Sequence, residues 1–98
     1  MDPLLTERGL EVKVPPLLRG MSSRDYFQRV EEQARDLTGN IYFDCSDATL
    51  IDSTALGKII FLAKQLQRRN QKVVFESCPV TIRDFLTKLK VNNFIDIA

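Results

Sequence analysis

Ile51-Asp52-Ser53-Thr54-Ala55-Leu56-Gly57 is the stretch that decides how this chain is read. It separates a short apolar run, Leu50-Ile51, from a long segment with helical periodicity. Ser53 stands where that helix should begin, with Asp52 beside it. A hydroxyl at that place has two possible roles. It can cap the helix by accepting a bond from a free backbone N–H of the first turn. It can also be a phosphoacceptor, because the free N–H groups and the helix dipole favour an anion at that end.

Downstream, the helix should run from about Ser53 to Arg69. At 100° per residue, Leu56, Ile59, Ile60, Leu62, Ala63 and Leu66 share one wide face, and Lys58, Lys64, Gln65, Arg68 and Arg69 share the other. Phe61 falls in the middle of the polar face. It is either a lone exposed apolar residue or an interface anchor two turns from Ser53. Lys72-Val73-Val74-Phe75-Glu76 reads as the next strand, so strand, helix and strand have the length of a βαβ unit. Pro79 is placed for the first turn of a last helix, with Ser77 or Cys78 as its cap and Ile82, Phe85, Leu86 and Leu89 as its apolar stripe. Phe94, Ile95 and Ile97 should pack back as a short strand or a turn of helix.

Upstream, Ile41-Tyr42-Phe43-Asp44-Cys45 resembles the nearly continuous apolar runs of strands buried on both faces. Before it, Ser22 and Asp25 look like a capping box. They open a helix from about Ser23 to Leu37, with Phe27, Val30, Ala34 and Leu37 on one face. Gly39 is placed to end it in a left-handed cap. Leu4–Glu7 and Leu10–Val14 suggest an antiparallel hairpin turning at Arg8-Gly9. Pro15-Pro16 then takes the chain to an edge or out of the sheet. This order gives an α/β sandwich with a parallel core and an antiparallel N-terminal addition.

Ninety-eight residues make one domain. The hydrophobic fraction of 44% is ordinary for a globular chain. A net charge of +1 argues against direct nucleic-acid binding, which needs a surplus of Lys and Arg. Histidine is absent, which removes the commonest general base. Cys45 and Cys78 form no C-x-x-C and have no histidine partner, so no metal site is expected. They read as two buried thiols in a reducing cytoplasm. The start, Met1-Asp2-Pro3-Leu4-Leu5-Thr6-Glu7, lacks the pattern of a signal peptide, and apolar runs are far too short to span a bilayer. A soluble, cytoplasmic protein with no membrane insertion is expected. Neither cysteine is followed by arginine at the C-x5-R spacing of a cysteine phosphatase; Ile51 and Asp84 stand there. The acidic pair of a receiver domain is missing after the first strand. No catalytic residue is assigned, no cofactor is implied, and an enzyme is not expected.

One family resemblance gathers these features. The apolar strand ending in aspartate, the Ile-Asp-Ser-Thr-x-Leu-Gly turn, the helix ending in Arg-Arg and the Lys-Val-Val-Phe strand together resemble the STAS domain, a family that includes anti-sigma factor antagonists and the C-terminal domains of sulfate transporters. The match is good from Asn40 to Ile97. It implies a single STAS domain over residues 1–98. Its fold would be a mixed β-sheet of about four to five strands with a parallel core, packed against three or four helices. In the antagonist branch, the serine after this aspartate is phosphorylated by a partner that is both an anti-sigma factor and a serine kinase, and a serine phosphatase resets it. By that resemblance Ser53 is the acceptor. Asp52 and Thr54 share its contact surface, and Gly57, Lys58 and Phe61 extend it along the helix. The family usually has glycine where Ala55 stands. Other members are adaptors without phosphorylation, in signalling or membrane lipid-transport assemblies, and that role is the alternative.

Overall fold

The computed structural model describes residues 3–98. Met1 and Asp2, where the reading of the chain start begins, lie outside the described residues. The elements run β1 (Leu4–Thr6), β2 (Gly9–Lys13), β3 (Leu17–Leu18), α1 (Arg24–Ala34), β4 (Asn40–Asp44), β5 (Leu50–Ile51), α2 (Ser53–Gln67), β6 (Val73–Glu76), α3 (Val80–Lys88), a 3-10 turn (Val91–Asn93) and β7 (Ile95–Ile97).

Five strands form one sheet in the order β1-β2-β4-β6-β7, and β3 and β5 form a separate two-stranded piece. The β1–β2 pair is antiparallel, and the other pairs are parallel. The expected hairpin and parallel core are therefore present. The register explains the core. Leu10, Ile41, Val73 and Ile95 stand level across four strands, as do Val12, Phe43 and Phe75. Period-two alternation sends all of them to one face, where they are buried together with Phe27, Val30, Leu56, Ile59, Leu66, Ile82 and Leu86 of the helices. Phe43 and Phe75 meet edge to face, their ring centroids 5.4 Å apart.

The opposite face is open, which corrects the reading of β4 as a doubly buried strand. Tyr42 and Asp44 are only half-buried. Charge covers this face in place of a second helical layer. The Arg8 guanidinium stacks 3.8 Å from the Tyr42 ring centroid and pairs with Glu11 and Glu76. Lys13 pairs with Asp44 and Asp47.

Three local readings change. First, α1 ends at Ala34, before Gly39, and the Arg69 guanidinium supplies donors for its last carbonyls, at 2.9 Å from the Ala34 oxygen and 2.8 Å from that of Arg35. Gly39 serves a close approach instead. A Cβ there would come within 2.6 Å of the Arg8 carbonyl oxygen. Second, no capping box forms, since Ser23 is the N-cap of α1 and its side chain makes no cap bond. Third, Pro79 is the N-cap of α3 and not its first residue.

Candidate functional site

The site is assembled by the smallest strands. Leu17 and Leu18 pair with Leu50 and Ile51 in parallel. The Pro16 carbonyl oxygen accepts the backbone N–H groups of Thr49 and Leu50, at 2.8 and 3.0 Å, and the Thr49 hydroxyl at 2.7 Å. A proline can accept but not donate, so Pro15-Pro16 leaves the main sheet and still anchors this ladder. The ladder continues with the Asp52 N–H donating to the Leu18 carbonyl at 3.0 Å. Asp52 is thereby held in extended backbone, φ −79° and ψ 171°, immediately before α2.

Asp52, not Ser53, caps the helix. Its Oδ1 accepts the Ala55 N–H at 2.8 Å and the Gly20 N–H at 3.0 Å. These two bonds, helped by the positive charge of Arg19, hold the Asp52 carboxyl below the usual carboxylate range. The sequence left capping and phosphoacceptance open for Ser53, since serine and aspartate cap almost equally well. The structure moves the cap back by one residue. Ser53 becomes the first residue of α2, exposed, with its hydroxyl in no hydrogen bond among the described residues.

The other expected contact residues divide. Thr54 and Gly57 are exposed beside Ser53, Gly57 one turn along. Among the described residues nothing lies within 4 Å of where a Gly57 Cβ would stand, so the bare backbone faces outward. Phe61 is 62% exposed two turns along. It borders a hollow of about 370 Å³ between α1 and α2, with Glu31, Arg35, Gln65 and Arg69. Lys58 lies about 140° round the helix from Ser53. It is half-buried against α1, its ammonium 5.5 Å from the Phe27 ring centroid.

Three contributors were not found from sequence. Gly20 packs so closely on the start of α2 that a Cβ would come within 2.6 Å of the Ala55 nitrogen. Arg19, exposed, extends the β3–β5 ladder level with Asp52. On the far side, Thr81, Ile82 and Phe85 of α3 face Thr49–Ser53 across a groove of about 360 Å³ with a mainly apolar lining. No local pattern in the sequence marks any of the three.

The family model described as the STAS domain matches residues 18–98, from the second residue of β3 to the end of the chain. The chain belongs to the STAS domain family. The five-stranded, mostly parallel sheet with three helices agrees with that assignment. The STAS match covers the Asp52-Ser53-Thr54 turn, β5, the second residue of β3 and all three helices. No curated protein matches the chain significantly. Among the described residues, no helix of this STAS domain is long and apolar enough to cross a membrane.

Proposed function

We propose that this STAS domain is a non-catalytic anti-sigma factor antagonist. In this reading it docks on an anti-sigma factor with serine kinase activity, and phosphorylation of Ser53 switches docking off until a serine phosphatase resets it. The observation that carries the reading is the separation of labour at the start of α2. Asp52 does the capping, so the neighbouring seryl hydroxyl is left exposed and, among the described residues, unbonded. A phosphate on Ser53 would add about −1.5 to −2 charges and three acceptor oxygens. The fold need not rearrange to admit it, because no native bond of the hydroxyl is lost and the helix dipole favours an anion there. Docking would feel it strongly. The phosphate would lie beside the Asp52 carboxylate, at the edge of the groove formed with α3, on a surface that otherwise offers neutral hydroxyls, apolar side chains and the single charge of Arg19. Each 1.4 kcal/mol of added desolvation or repulsion is about tenfold in affinity.

Immobilised wild-type, Ser53→Ala and Ser53→Asp chains, exposed to lysate of the source cells, test the reading. Wild type and Ser53→Ala should retain an ATP-binding protein kinase that Ser53→Asp does not. Equal retention by all three removes the switch. A captured partner without kinase activity, indifferent to position 53, would favour the alternative, an unphosphorylated adaptor subunit of a signalling or membrane lipid-transport complex.

A further inference from the structure

The two cysteines, distant in sequence, come to the ends of neighbouring strands in the fold. Cys45 leaves the end of β4, and Cys78 follows β6, the neighbouring parallel strand. Asp44 is level with Glu76, and the ladder continues as the Cys45 N–H donates to the Glu76 carbonyl at 2.9 Å. Alternation along β6 would send Ser77 inward after Val73 and Phe75. Ser77 instead takes a left-handed conformation, φ 56°, and is exposed, while Cys78 packs against the core that contains Cys45. The turn thus sets a thiol in place of a serine on the core side of the strand next to Cys45, whose own thiol donates to the Phe43 carbonyl at 3.7 Å.

Access and acidity separate the pair. Cys45 is fully buried and Cys78 only half so. The interaction of the two thiols pushes Cys78 down and Cys45 up in pKa, with burial adding to the rise at Cys45 and the charge of Arg83 to the fall at Cys78. An accessible thiol backed by a buried one is an arrangement that suits reversible oxidation.

We propose that Cys78 and Cys45 form a peroxide-responsive dithiol, a modification site at which Cys78 is oxidised and Cys45 resolves it to an intramolecular disulfide. The Cys78 thiolate attacks one oxygen of hydrogen peroxide. The O–O bond breaks, hydroxide leaves and takes a proton as water, and Cys78 becomes a sulfenic acid. The Cys45 sulfur, giving up its proton, then attacks the Cys78 sulfur. The S–O bond breaks, and a second water leaves. Two thiols lose two electrons and two protons to the peroxide, which becomes two waters. The new bond joins the end of β4 to the residue before Pro79, where α3 begins. It therefore fixes the first turn of α3, one wall of the groove beside Ser53. The inference stands whether or not Ser53 is phosphorylated.

The test uses the reduced full chain and a small molar excess of hydrogen peroxide, with free-thiol counting and peptide mass spectrometry. Both thiols should disappear from the monomer, a Cys45–Cys78 cross-linked peptide pair should appear, and dithiothreitol should reverse both changes. Cys45→Ser should leave a sulfenic acid at Cys78 that dimedone captures. Cys78→Ser should slow the reaction with peroxide by about tenfold or more. The wild-type peptide map needs no variant. Thiols that stay free, or oxidation that yields only sulfinic acid or bonds between chains, overturn the proposal.

Discussion

Asp52 reaches back across the chain to Gly20. One carboxylate oxygen accepts the Gly20 N–H at 3.0 Å while capping α2 through the Ala55 N–H at 2.8 Å. The bond works because Gly20 has no side chain, letting the turn after β3 lie directly against Thr54 and Ala55. Gly20→Ala must displace backbone and not merely a flexible side chain. It should lower stability by roughly 1–3 kcal/mol, read as a lower urea midpoint with an unchanged slope. An unaltered midpoint would mean that the contact is looser than described.

The cap also makes a prediction about pH. The Asp52 carboxyl is held low, first by the Ala55 and Gly20 N–H groups and then by Arg19. A depressed folded-state value stabilises the native state above the unfolded carboxylate value, about 3.9, and that contribution fades as pH falls through the folded value. Asp52→Asn keeps a capping oxygen but removes the titration. Wild type should melt higher at neutral pH, and the gap should close steadily in acid below about pH 4. A gap that does not depend on pH would assign the effect to geometry alone.

Ser53→Ala should behave in the opposite way. The hydroxyl makes no hydrogen bond among the described residues, and alanine is the better helix former. Its melting temperature should match or slightly exceed that of wild type, within about ±0.5 kcal/mol of stability. A loss of about 1 kcal/mol or more, the usual cost of a removed cap, would return the capping role to Ser53.

Gly57 separates folding from docking. A methyl there meets open space, and alanine favours the helix by roughly 0.8–1.0 kcal/mol over glycine. Gly57→Ala should therefore raise the thermal midpoint. If the bare backbone is a docking surface, the same variant should bind its partner more weakly. A variant that is both more stable and undiminished in partner capture would remove Gly57 from the contact surface.

The long elements were legible because burial imposes a period. The apolar face of α2 follows from residues at helical spacing, and the alternation of β2 shows one wet face. The site was legible only in part. That a helix begins at Asp52-Ser53 is written in the residue types, but which of two good capping residues does the capping depends on Gly20, a neighbour from another part of the chain. The β3–β5 ladder escapes detection because two-residue strands carry no periodicity. The continuous apolar look of Ile41-Tyr42-Phe43 concealed an open sheet face, since an arginine from the β1–β2 turn covers the tyrosine. The placing of Cys78 on the core side depends on a left-handed serine that no local rule announces.

Among the described residues the Ser53 hydroxyl has no bonding partner, which leaves it open to phosphate while Asp52 holds the helix. The most direct test is residue-level phosphate mapping after the purified chain is incubated with source-cell lysate and ATP, with Ser53→Ala alongside. The account predicts phosphate on Ser53 in the wild type, none on the variant, and a modified chain whose melting temperature stays close to that of the unmodified one. Phosphate elsewhere, none at all, or modification that unfolds the chain would contradict it.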